Sequence, residues 1–209
     1  MVLSDMGWSM LAQEDRSVVY PYAGLQIRVY KGVHQISWGQ SSAGYDLRLD
    51  PREILVPRPG VLLNPKWTTE ERDAAYDHVL PVVDKAKWTH WADQPIKQQS
   101  YWDIPPGGSA LALTVEKIVI PRDHIGICVG KSTYARCGLI VNTTPLEPEW
   151  RGHLVLELHN IQTYNPIRVY GGEGIAQLLL FKVDGAVFTS YADRYGKYQN
   201  QDEITPAKL

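Results

Sequence analysis

From Ala110 onward the chain is a series of short apolar runs, each closed by glycine, proline or asparagine. "ALALTVEKIVI" stops at Pro121, and "HIGICVG", "LIVNTTPLEP", "GHLVLELHN", "IRVYGGEG" and "IAQLLLFKV" follow in turn. Runs of this length and spacing predict the strands of a sandwich or barrel, not alternating strand–helix units. Earlier, "QSSAGYDLRL" has the form of a turn leading into a strand. The alternation is clearest in "HLVLELHN". Leu154, Leu156 and Leu158 share one face, while Val155, Glu157 and His159 share the other. A carboxylate in the middle of such a strand has two explanations. It points into solvent, or it lines a cavity where desolvation raises its pKa toward the range useful to a general base. The pattern alone favours solvent.

One stretch breaks the period. Thr68 followed by Glu71 makes a capping box, and "TTEERDAAYDHVLPVVDKA" continues with helix formers and early acids until Pro81 kinks or ends the run. The tryptophan-rich "KWTHWADQPIKQQSYW" then shows no periodicity. Residues from about Asn64 to Tyr101 therefore read as a helical, Trp-rich insertion on a β core. A surface excursion is expected there, in preference to a lid or subunit contact. No internal repeat interrupts this organisation, and 209 residues fit one domain.

Composition narrows the partners. The net charge of -2 provides no basic field, so a nucleic-acid polymer is not expected, whereas a small anion held by a few local cations is compatible. No apolar run has the length of a membrane span, and "MVLSDMGWSM" lacks a basic-then-apolar signal pattern. Cys128 and Cys137 are the only cysteines, which suggests a reducing compartment, and a cytoplasmic protein is expected.

Metal and nucleophile chemistry find little support. The cysteines are nine residues apart, and His34, His78, His90, His124, His153 and His159 follow no zinc-ligand spacing. The zinc deaminase signature, His-x-Glu with Pro-Cys-x-x-Cys, is missing, as is Gly-x-Ser-x-Gly. "VGKSTYARCG" contains letters of a nucleotide loop, but Ile125 stands where that loop needs its first glycine, and Gly138 follows too soon for a long helix. A phosphate site of another kind stays open. Ser132 and Arg136, four residues apart on one turn, share a face, and the amides after Gly130 open toward an anion beside Lys131. A capped turn with a surface salt bridge from Arg136 explains the same residues equally well.

"GKSTYARCGLIVNTTPLEPEWRGHLVLELHN" resembles the core signature of bacterial dCTP deaminases, members of the trimeric dUTPase-like superfamily. The likeness extends to "SSAGYDLRL", "IPPGGSALALTVEKIVIPRD", "EGIAQLLLF" and "SYADRYGKYQNQ". It covers most of the chain outside the insertion and the extreme N-terminus. The resemblance implies a distorted, jelly-roll-like β-barrel in a homotrimer whose active sites are shared between subunits. It implies zinc-independent hydrolysis of dCTP to dUTP and ammonia, with Mg2+ carried by the triphosphate.

Residue by residue, Glu157 matches the general base, and Ser132 and Arg136 match the pair that orients water and base. Lys131, Ser132 and Thr133 match a phosphate-contacting turn. Glu147 matches an acid near the deoxyribose, and Val155 and Gln177 match positions lining the base and sugar pocket. Tyr191, Lys197 and Gln201 match a C-terminal segment, about 191–209, expected to be a mobile lid over the triphosphate. The family's tail reads Gln-x-Gly-Val-Thr, whereas this chain has "QDEIT", which brings Asp202 and Glu203 near the expected phosphates. The alternatives are a bifunctional dCTP deaminase and dUTP diphosphatase, or a dUTPase-like nucleotide-binding regulator. A plain dUTPase is disfavoured because "PLEPEW" replaces its Gly-Val-Ile-Asp.

Overall fold

The computed structural model describes residues 1–13, 18–30, 32–66, 68–84 and 99–208. Helix α1 (Asp5–Gln13) leads into β1 (Val19–Tyr20), β2 (Ile27–Tyr30), β3 (Val33–Ser41), β4 (Gly44–Arg48) and β5 (Ile54–Pro57). Helix α2 (Thr69–Ala74) is followed by β6 (Tyr76–Val79), β7 (Val82–Asp84), β8 (Gln99–Ile104), β9 (Ser109–Val119) and β10 (His124–Gly130). A single turn, α3 (Ser132–Ala135), precedes β11 (Leu139–Asn142), β12 (Arg151–Asn160), β13 (Ile167–Tyr170) and β14 (Gly174–Lys182).

The molecule is mainly β, as the alternation requires. One antiparallel sheet runs β11-β12-β9-β5-β6 with β1 beside β9, a second runs β10-β14-β4-β3-β2, and a third runs β13-β8-β7. Among the described residues the two large sheets do not close into one continuous barrel. Isolated bridges connect them instead: Leu49 just after β4 pairs with Thr114 of β9, and Gly126 of β10 pairs with Leu146 in the loop between β11 and β12. Both sheets feed one core. Leu154, Leu156 and Leu158 of β12 are buried with Ala112 and Ile118 of β9, Leu47 of β4, and Leu178 and Leu180 of β14. Removing each such leucine from water contributes roughly 2 kcal/mol.

A charged clamp crosses this core. Glu116 of β9 is fully buried, and its carboxylate accepts from the backbone N–H of Arg48 at 2.8 Å and from Arg48 Nε at 2.6 Å. The Arg48 guanidinium also lies 4.0 Å over the Trp38 ring. Burial pushes the Glu116 carboxyl above the usual range, and the Arg48 charge and hydrogen bonds pull it back. Removing one partner would strand the other charge in the core. Glu116→Ala is therefore expected to lower unfolding free energy by about 3–5 kcal/mol, read from urea denaturation. A loss well below ~1 kcal/mol would show that the pair does not hold the sheets together.

The insertion is only briefly helical. The capping box is present: Thr68 Oγ1 accepts from Glu71 N at 3.3 Å, and Glu71 Oε2 accepts from Thr68 N at 2.8 Å. The helix nevertheless ends at Ala74, and the following residues form β6 and β7. Tyr76, Val79, Val82 and Val83 favour extended backbone, and β6 finds a partner ladder on β5. Long-range pairing thus overrides the local helix signal. Trp67, Trp88 and Trp91, which made the segment Trp-rich, lie outside the described residues.

Candidate active site

The candidate residues fall into two groups. The first surrounds β12. Its register against β9 shifts from His153 opposite Lys117 to Val155 opposite Leu113, so Thr114, Val115 and Glu116 crowd against Leu154. Thr114 satisfies the break. Its hydroxyl donates to Glu116 O at 2.8 Å and accepts from Leu154 N at 3.0 Å, and its carbonyl bonds the His153 ring. His153 is thereby a structural residue. Bulges of this kind re-aim the side chains beyond them.

Past the break, Glu157 stands exposed on the open face of β12, with Leu111 opposite on β9 and Asn142 opposite on β11. It lines a cavity of about 400 Å³ together with Asn142, His159, Ser109, Tyr76 and Leu63. Asn142 Nδ2 donates to Glu157 Oε2. The two explanations of the strand carboxylate therefore coincide: within one chain Glu157 is both exposed and at the wall of a cavity. Asn142, Ser109, Tyr76 and His159 carry no motif in the sequence. The signal for Asn142 is alternation in "LIVN", which sets Ile140 and Asn142 on one face, but its place opposite Glu157 needs the strand register.

The C-terminal segment lies along the same sheet. Tyr191 N donates to Pro148 O at 2.9 Å, and Trp150 Nε1 donates to Tyr198 O at 3.1 Å. Glu147 is ion-paired with Arg194, whose guanidinium lies over Tyr191. Lys197 Nζ donates to the carbonyl of Lys208. Gln201 forms a parallel bridge with Gly152, and His153 N donates to Gln201 O at 2.7 Å. Gly152 has φ of 148°, and a Cβ there would lie 2.7 Å from Gln201 N, so only glycine leaves the notch open. Gln201 Nε2 is buried with no hydrogen-bond partner among the described residues. Asp202 meets Lys117 at 3.2 Å, and Arg72 of α2 reaches Ala207 O, so the tail touches both the sheet and the insertion.

The second group surrounds α3. Arg136 N donates to Ser132 O at 3.1 Å, which confirms that the two residues stack on one turn. Ser132, Thr133 and Arg136 are exposed. Lys131 is not: its ammonium is ion-paired with Asp46, which also accepts from Gln26 Nε2 at 2.9 Å. That pairing uses much of the charge expected for a phosphate. Gln177 lies on the second sheet, opposite Val129 and Asp46, and donates to Ser41 Oγ at 3.0 Å. Between the two groups runs β11, roughly 10 Å of strand. The Glu157 cavity is lined by none of Lys131, Ser132, Thr133, Arg136 or Gln177. Within a single chain the candidate residues thus form two separate groups.

Other chemistry is sparse. Among the described residues no group of three or more His, Cys, Asp or Glu is placed to hold a metal ion. Cys128 and Cys137 are free, and burial pushes the Cys128 thiol up to about 12, so it behaves as a core residue. No helix among the described residues is long and apolar enough to cross a membrane.

Residues 13–183 match a protein-family model described as dCTP deaminase-like. The chain is 41% identical over 208 residues to the dCTP deaminase of Chlamydia muridarum, covering 98% of each. It is 41% identical over 210 residues to the dCTP deaminase of Acinetobacter baylyi, covering 100% of each. The solved 2'-deoxycytidine 5'-triphosphate deaminase from Agrobacterium tumefaciens shares the fold, with a TM-score of 0.55 at 17% identity over 90% of this chain and 49% of that one.

Proposed function

The chain belongs to the dCTP deaminase-like family, and from that premise we propose that it hydrolyses the 4-amino group of dCTP, giving dUTP and ammonia. The observation that carries the reading is Glu157, an exposed carboxylate in the wall of a cavity of about 400 Å³, with one oxygen engaged by Asn142. Water adds to C4 of the pyrimidine as Glu157 takes its proton. The carboxyl passes that proton to the ring nitrogen, then takes the hydroxyl proton of the C4 adduct and delivers it to the amine, which leaves as ammonia while C4 becomes a carbonyl.

Activation of water by a carboxylate requires no zinc. Mg2+ enters as part of the substrate, on the triphosphate. The division of the candidate residues into two half-sites supports a shared site in a homotrimer: Ser132 and Arg136 of one copy orient water and base against Glu157 of the next. Val155 and Glu147 then face the base and sugar, and Tyr191, Lys197 and Gln201 reach the nucleotide from the tail. The buried, unpartnered amide of Gln201 is a donor available for that contact. Thr133 contacts phosphate beside Ser132, with Lys131 supporting the turn through Asp46. Gln177 borders the base and sugar pocket.

The test is incubation with dCTP and Mg2+, then separately with dUTP, measuring ammonia, dUTP, dUMP and pyrophosphate. Ammonia and dUTP in equal amounts are the expected products. Absence of ammonia release would overturn the reading, while dUMP and pyrophosphate from dUTP would identify a bifunctional enzyme. EDTA is expected to suppress turnover by removing the metal from the triphosphate, without unfolding the protein.

A further inference from the structure

We infer that Asn142 is a positioning residue for the Glu157 carboxylate, one that selects which oxygen handles the transferred proton. The inference rests on the reading of Glu157 as the general base. Asn142 is the last residue of β11 and stands directly opposite Glu157 in the ladder. Directly opposed antiparallel residues have side chains about 5 Å apart on one face, so contact follows from register. Immediately after Asn142, Thr143 Oγ1 donates to Cys128 O at 3.1 Å, pinning the strand end to β10. The amide therefore has a fixed origin.

Its orientation has a chemical cause. An ionised carboxylate only accepts, so the NH2 of Asn142 must face it, and Nδ2 donates to Oε2. That leaves Oε1 as the oxygen with open capacity for a water proton. An amide does not titrate, so the donor persists across the pH range in which the base works. Two other titratable groups line the cavity, Tyr76 from β6 and His159 from β12. Burial pushes the Tyr76 phenol up, so it stays neutral through the working range. The remaining neighbours on β5, β9 and β11, Pro57, Ser109, Leu111 and Ile140, carry no charge. In the shared site, Arg136 of a second copy adds a fixed positive charge.

Three variants test this, each with pH profiles of kcat/KM. Asn142→Leu keeps the size but loses the donor, and kcat is expected to fall about 10- to 100-fold with KM little changed. Asn142→Asp is isosteric and puts a like charge against Glu157, so the acidic limb should move up by about one pH unit or more. Asn142→Gln retains a donor and should recover part of kcat. Profiles repeated on a His159→Gln background identify the limb that belongs to Glu157. Both side chains are exposed, so melting temperature should hold, and the isosteric Asn142→Asp serves if the leucine variant misfolds. Wild-type kcat and an unmoved limb in the variants, with Glu157→Gln inactive, would overturn the role of Asn142 alone. An active Glu157→Gln enzyme would instead overturn the reading beneath it.

Discussion

Glu157→Gln is expected to lower kcat for dCTP by about 10²–10⁴-fold, the usual contribution of a general base, with KM changed little. The amide keeps the shape of the side chain but cannot take a proton from water. Stability should be unaffected, because the carboxylate is exposed and the buried Leu154, Leu156 and Leu158 face is untouched. Steady-state ammonia release, with substrate binding measured by calorimetry, separates the two effects. Turnover near the wild-type rate would remove Glu157 from the mechanism and with it the central step proposed above.

The second large effect comes from mixing. Glu157→Gln and Arg136→Ala enzymes should each be nearly inactive alone, because each lacks one half-site in every copy. Denatured together in equal amounts and refolded, they should regain about a quarter of wild-type activity if each site joins Glu157 of one subunit to Ser132 and Arg136 of the next in a closed ring. The fraction follows from chance. One intact partner of each kind must sit in the right order, each with probability of about one half. The separation of the two groups by β11 motivates the experiment, as does a Glu157 cavity that none of the α3 residues lines. A mixture no more active than its components would mean that each site lies within one subunit.

The strands were legible because they obey period two. "GHLVLELHN" and "ALALTVEKIVI" became β12 and β9, and the leucine face of β12 is buried as its alternation requires. Less legible was everything decided by distant partners. The capping box at Thr68 formed, yet the residues after Ala74 joined a ladder with β5 that no local pattern announces. Helix α1 was not foreseen, although Trp8 and Leu11 lie one turn apart and are its buried residues. Glu157 was visible as an anomaly in an apolar strand, but Asn142 and Tyr76 become its neighbours only through pairing and folding. Lys131 has a partner that its local sequence does not announce. Its position suggested a phosphate contact, whereas the structure commits its charge to Asp46, nearly two-thirds of the way back along the preceding chain.

The notch at Gly152 has a consequence for how the tail can vary. Gln201 is held there through main-chain atoms: its carbonyl accepts from His153 N, and its amide passes where a Cβ would otherwise sit. A seat built from backbone does not read side-chain identity. The contacts of Gln201 with Gly152 and His153 therefore do not depend on its side chain, whereas Gln199 and Asp202 on either side are held by theirs, to Arg151 N and Glu149 O and to Lys117. The steric constraint of this seat falls on position 152, where a single methyl group would run into the main chain of residue 201 whatever side chain that residue carried.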